Sequence, residues 1–356
     1  MTKAFVLWLM VIVQTVFLAW TLLFLVVARA RRWSERKAEA RAREFLAEPT
    51  RQVMLGEATV TVLAQALRQL TPRIAARHLM DLAGSRLSPD VRDALATMVR
   101  GDAWVANVLI HASSRWWWRR LDAARLLAVV AGEHDAPIVE RMLLDPHAAV
   151  VSAITPALAR AVHPRLIAAV LDTMHRRPAA VRLQQGATLR HHWQIAEPLL
   201  AERLRRGADA ARLRFWIELA DTLDSPVCLI EALRFSSHPS AEVRIAAARA
   251  YGKCFDPDAV TALLRMLRDP DWRIRVQAAR SLGALRTEAA IDPLVAAMTD
   301  ESWWVRFRAA LALATLGETG CDELRRISGS DDEFTRDMAQ FVEGLPEGSR
   351  IELSAQ

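Results

Sequence analysis

The residues most able to do chemistry are nine histidines and three cysteines, and their spacing argues against it. His78, His111, His134, His147, His163, His175, His191, His192 and His238 contain no H-x-x-x-H pair and no H-E-x-x-H. Two imidazoles on one helix face, the usual start of a zinc site, are therefore missing. His191 and His192 are adjacent, so on a helix they point to different faces. Cys228, Cys254 and Cys321 form no C-x-x-C and are too scattered for a disulfide framework. They read as small apolar residues in a reducing compartment. There is no phosphate-cradling glycine loop and no G-x-S-x-G. The expectation is no catalytic residue, no metal, no cofactor and no small-molecule ligand.

Recognition is better represented. Tryptophans and arginines interleave at Arg115, Trp116, Trp117, Trp118, Arg119 and Arg120, at Trp272 and Arg273, and at Trp303, Trp304, Arg306 and Arg308. Base stacking with phosphate pairing needs that combination, so a nucleic-acid-binding surface is one reading. The charge distribution argues against it. Residues 1–44 hold eight basic residues against three acidic ones, and residues 317–356 hold ten acids against four arginines. The excess left for the long middle stretch is diffuse rather than striped. Trp and Arg also dominate protein–protein hot spots. Trp116, Trp117, Trp118, Trp272, Arg273, Trp303, Trp304 and Arg308 are therefore the expected partner-binding set, with inter-repeat wedging as the alternative role for the tryptophans.

The elements that carry these residues repeat. The segment DPDWRIRVQAARSLGAL from 269 aligns without a gap on DESWWVRFRAALALATL from 300. Stepping back by the same offset from Arg306 gives Arg275, Arg244, Leu213, Arg182, Val151 and Arg120, mostly preceded by a β-branched residue and followed seven places later by Leu. Residues 259–267 predict a first helix, stopped by Asp269-Pro270, since proline cannot continue the ladder. Residues 274–284 predict a second helix, with Ile274, Ala278, Leu282 and Leu285 on one face. One such hairpin cannot bury its apolar face alone, so stacking must stabilise it.

Asp269, Pro270, Ile274, Arg275, Ala278, Ala279, Leu282 and Gly283 resemble HEAT repeats of the short bacterial type first described in phycobilin lyases. The resemblance covers residues 115–317 and, by extension, 52–114. It implies an all-α fold, with a right-handed α-solenoid of about seven to eight HEAT-like hairpins of ~31 residues. It also implies a structural ladder between repeats, drawn from Arg120, Arg182, Arg244, Arg275, Arg306, Asp269 and Asp300. Deoxyhypusine hydroxylases, which are HEAT-like enzymes, use His-Glu pairs as iron ligands; no histidine here precedes a glutamate. Phycobilin-lyase chemistry remains the enzymatic alternative, although that family is soluble.

Residues 4–28 are free of charge, long enough to cross the hydrocarbon as a helix. A cleaved signal would have a shorter core, and the arginines that follow resist translocation. The basic collar Arg29, Arg31, Arg32, Arg36 and Lys37 stays cytoplasmic and contacts anionic headgroups. The expected organisation is an anchor over 1–28, a basic juxtamembrane helix or linker over 29–51, the solenoid over 52–330, and a C-terminal capping helix with an acidic, frayed tail over 331–356. This places the N-terminus outside and the repeats in the cytoplasm, on the inner membrane, where a membrane-associated protein partner is expected.

Overall fold

The computed structural model describes residues 2–83 and 87–355, and among these every regular element is helical. The first is a single helix from Thr2 to Met54 that runs through Pro49 without a break. It is long and apolar enough to cross a membrane, and among its described residues the apolar stretch is not buried against the rest of the chain. Phe17 and Trp20 are 65% and 68% exposed. Exposed Arg29, Arg36 and Lys37 follow on the same helix, with the Lys37 ammonium 5.0 Å from the Trp33 ring centre. The side chains of Arg31 and Arg32 lie outside the described residues.

The chain divides into two compact units, residues 1–163 and 164–356. In the first, the end of the long helix is not a linker. Ala42, Leu46 and Val53 are buried, and this end packs on Val60–Arg68 as the first member of a hairpin. Ala103–Leu109 pairs with Trp117–Val130 and Ala136–Leu143 with Ala148–Ile154, while Pro72–Ala83 packs on Ala103–Leu109 and Trp117–Val130, and Pro89–Val99 on Val60–Arg68. Second helices stack on second helices along the unit.

The second unit repeats this scheme more regularly. Its second helices Ala210–Thr222, Ala241–Tyr251, Trp272–Leu285, Trp303–Thr315 and Glu333–Glu343 form one layer. Helical pairing thus extends past both ends of the stretch where the 31-residue period is legible. Helix starts are fixed by side-chain caps. Asp209, Ser225, Asp256, Asp271 and Asp332 each accept a backbone N–H of the first turn, typically contributing about 1 kcal/mol.

Burial follows the apolar spacing. Ile274, Ala278, Ala279 and Leu282 of Trp272–Leu285 are fully buried. Truncating Leu282 to Ala would cost about 2–5 kcal/mol. Small residues are placed where helices touch. A Cβ on Gly252 would stand 2.9 Å from the Ser281 hydroxyl, and one on Gly283 would stand 2.9 Å from Ala312 Cβ and 3.0 Å from its Cα. The repeat glycine is thus a close-approach residue between successive second helices. The tail is not frayed, as expected from its composition, but forms a helix, Glu347–Ala355, packed on Trp303–Thr315 and Trp272–Leu285.

Candidate interaction surfaces and the arginine ladder

Three of the repeat arginines make one constellation. The Arg275 guanidinium donates Nη1 to the carbonyls of Asp269 and Pro270, at 2.9 and 3.3 Å. Its Nε and Nη2 donate to the two carboxylate oxygens of Asp300, at 2.7 and 2.8 Å. Asp300 in turn accepts the Ser302 N–H at 2.8 Å. Arg244 does the same with the carbonyls of His238 and Pro239 and the carboxylate of Asp269. Arg120 does so with Ser114, Arg115 and Asp145. Each arginine therefore clasps the turn of its own hairpin to the turn of the next, 25 residues on. The carboxylate's bonds to these arginines hold their pKa values above the usual guanidinium value, against the opposing pull of burial, at Arg120 and Arg275. Fork-to-carboxylate geometry and low exposure make these stronger than ordinary surface ion pairs.

Two arginines of the expected ladder stand outside it. The position 25 residues beyond Arg182 is Gly207, which has a φ of +77° and follows Trp193–Arg206, so no carboxylate is on offer. Arg306 keeps the near half of the clasp, donating to the carbonyls of Asp300 and Glu301 at 2.7 and 3.2 Å. Its guanidinium then lies over the Phe334 ring, 5.4 Å from its centre, instead of on an acid. Asp145, the acid of the Arg120 clasp, was readable from the constant 25-residue offset. Where Leu213 replaces the arginine, His238 replaces the aspartate and accepts the Ser240 N–H through Nδ1, at 3.1 Å. That hairpin keeps its turn cap and loses its clasp.

The six tryptophans of the expected binding set occupy the starts of second helices in both units, and none of these six is a buried wedge. Trp116, Trp117, Trp118, Trp272, Trp303 and Trp304 are 40–53% exposed. In the first unit Trp116 and Trp118 stack at 4.6 Å, Arg115 lies 4.7 Å from the Trp116 ring centre, and Trp117 stacks on His147 at 4.0 Å with planes 5° apart. In the second unit Trp303 stacks on Phe307 at 5.0 Å and meets Trp304 edge-on. The wedging role falls to Trp104 and Trp216, which are buried. Trp216 donates Nε1 to the Leu171 carbonyl across to the preceding hairpin, at 3.0 Å. Arg273 is exposed but engaged, pairing with Asp271 and Glu242. Arg308 is half-buried and donates to the Leu353 carbonyl at 2.6 Å.

The titratable groups are dispersed. Among the described residues no three of His, Cys, Asp and Glu are grouped to hold a metal ion. Cys228 is buried, with its thiol pushed up to about 11 by that burial, which makes it a poor nucleophile. A cleft of about 430 Å³ lies between the end of the long helix and Pro72–Ala83, lined by Arg43, Leu46, Thr50, His78 and Asp81. Burial holds the His78 imidazole below its usual range; Arg43 and Arg77 add to the fall and Asp81 opposes it.

Comparison with known proteins places the repeats. Residues 228–314 and 263–342 match the family of HEAT repeats. No curated protein sequence matches the chain significantly. Among solved structures, YibA of E. coli is 14% identical over 73% of this chain and 99% of its own, with a TM-score of 0.36. Kap95p, solved with RanGDP, is 13% identical over 89% of this chain, which spans 52% of it, at 0.41. The CpcE–CpcF complex of phycocyanin lyase from Nostoc sp. PCC7120 is 17% identical, covering 76% of this chain and 93% of that one, at 0.27. These likenesses are too distant to carry a function. The clasped hairpins of the second unit coincide with the family match, and residues 228–342 of the chain are HEAT repeats.

Proposed function

We infer that this protein is a scaffold held at a membrane by its first helix, which uses its HEAT repeats to bind a partner protein at the cytoplasmic face. The observation that carries this reading is the first helix itself. The described apolar side chains of its first half, from Val13 to Val27, lie exposed, while its far end is built into the first hairpin. A helix shared in this way transmits anchoring to the repeats without a flexible joint, so the repeats are held near any partner in the same membrane. The exposed arginines and lysine between the two halves suit anionic headgroups and a cytoplasmic placement.

Two aromatic clusters supply the contact chemistry. Half-exposed tryptophans, stacked and pre-oriented, bury large area at small entropic cost, which is why they dominate hot spots. A binding role is favoured over a catalytic one because histidines, cysteines and acids do not converge, whereas aromatic and cationic groups do. Affinity capture from detergent-solubilised membranes, comparing wild type with Trp117→Ala and Trp304→Ala, tests this. A specific membrane protein retained by wild type and lost in either variant, with unchanged melting, supports the reading. Equal capture by all three overturns the assignment of the tryptophans.

A further inference from the structure

In the cleft between the end of the long helix and Pro72–Ala83, polar groups converge without pairing with one another. Its walls are two helical faces. Arg43, Leu46, Thr50 and Met54 follow at three- and four-residue steps and so share one face of the long helix; His78, Asp81 and Leu82 share one face of the other. The ion pair of Arg77 with Glu39 ties the two helices together. The cleft holds about 430 Å³, and small-molecule sites run from about 300 to 1,000 Å³. Nothing in the spacing of the sequence announces this site, because Arg43 and Asp81 are brought to it only by the packing of the long helix on Pro72–Ala83.

Two features of the cleft call for an occupant. His78, part of its wall, is 6% exposed, and its Nε2 has no hydrogen-bond partner. A buried polar atom left unpaired costs about 1–3 kcal/mol, and native proteins account for such atoms with a bound group or an ordered water. Arg43 and Asp81, on the two walls, are exposed, and neither forms an ion pair among the described residues. Both charges act on the His78 ring, in opposite directions, so the ring lies within reach of each. The other charges beside the cleft are satisfied on their own, Arg51 by Glu48 one turn back and Arg77 by Glu39. An occupant therefore meets one cation, one anion and one imidazole, set against Leu46, Met54 and Leu82. A simple carboxylic acid would face Asp81 with like charge, and a simple amine would do the same to Arg43. We propose that the cleft binds a small zwitterion with an apolar body, of the class of aliphatic and aromatic amino acids, its carboxylate on Arg43 and the His78 ring, its ammonium on Asp81 and its side chain against Leu46, Met54 and Leu82.

The test is calorimetric titration of the full chain in detergent with L-leucine, L-methionine and L-phenylalanine. At least one of them gives a saturable isotherm. For the tightest, the analogue without the ammonium and the analogue without the carboxylate (isocaproate and isoamylamine in the case of leucine) bind about tenfold or more weakly, the size of one hydrogen bond to a charged group. Arg43→Gln and Asp81→Asn, both at exposed positions, each lose a similar factor with unchanged melting, and Arg43→Lys recovers part of it. His78→Phe, which keeps a ring without its nitrogens, weakens binding as well; Arg43 and Asp81 carry the test should that variant not fold. No saturable binding by any of the three amino acids, equal binding by an analogue lacking either charge, or unchanged affinity in Arg43→Gln or Asp81→Asn overturns the proposal. The capture experiment with the tryptophan variants is read separately, so failure here leaves the scaffold reading standing.

Discussion

Removing one carboxylate from the ladder is the sharpest perturbation of the fold. In Asp300→Ala the Arg275 guanidinium keeps its two carbonyl contacts but loses both bonds to Asp300, and the Ser302 N–H loses its acceptor. Breaking a buried ion pair by deleting one partner costs about 3–5 kcal/mol. Here the side chains are 9% and 13% exposed and Glu301 stands within 3.3 Å of Arg275, so the low end applies, about 3 kcal/mol. For a unit of this size each kcal/mol moves the melting point by about 2–4 °C. A fall of roughly 6–12 °C is expected in detergent-solubilised full chain, followed by circular dichroism. Arg275→Met and the double variant complete a cycle, with an expected coupling of about 1.5 kcal/mol or more. Arg182→Met, at a repeat arginine with no acid 25 residues on, is the control and should fall within about 0.5–1 kcal/mol of wild type. A coupling below about 0.5 kcal/mol, or equal losses for Asp300→Ala and Arg182→Met, would refute the clasp.

Further outcomes follow from the same geometry. Gly283→Ala should destabilise by about 1–3 kcal/mol although alanine favours helix, because its Cβ meets the Ala312 backbone; a stabilised variant in a melting scan would contradict the close approach. His78 has its pKa lowered in the fold, so its contribution is full above the unfolded value of about 6.5 and stability falls as pH drops below it. His78→Leu should therefore flatten the decline in melting temperature between pH 7 and pH 5, and an unchanged slope would count against its burial. Trp216→Phe removes the bond to the Leu171 carbonyl and should cost about 1–3 kcal/mol through the orphaned acceptor and lost volume, whereas Trp304→Ala should leave the melting point nearly unchanged.

The regular hairpins were legible because a single arginine, a turn aspartate and a close-packed glycine recur in phase, and each has a physical duty that tolerates few substitutes. Arg120, Arg244 and Arg275 could be named from spacing alone. Arg182 could not be excluded without noticing that the acceptor position holds Gly207, since the ladder is a property of two sites, and only one was being counted. The constant 25-residue offset carried that information and would also have picked out Asp145. Hairpins before residue 103 lack these marks, and one borrows the end of the long helix, which no periodicity announces. The candidate interface was half visible. Residue type marked the tryptophans, but whether each wedges or faces solvent depends on a neighbouring hairpin. Thus Trp104 and Trp216, unmarked by any cluster, are the buried ones. Arg308 shared the cluster's sequence neighbourhood, yet its hydrogen bond is to the C-terminal helix, which no repeat pattern announces.

Tethering at the lipid is the part of the account with most at stake. Alkaline carbonate extraction of membrane vesicles, followed by protease added from the cytoplasmic side, tests it directly. The account predicts that the chain stays in the membrane pellet and that protease removes the repeats while sparing a short fragment containing residues 4–28. Release of the intact chain into the supernatant, or repeats protected from the cytoplasmic side, would contradict it.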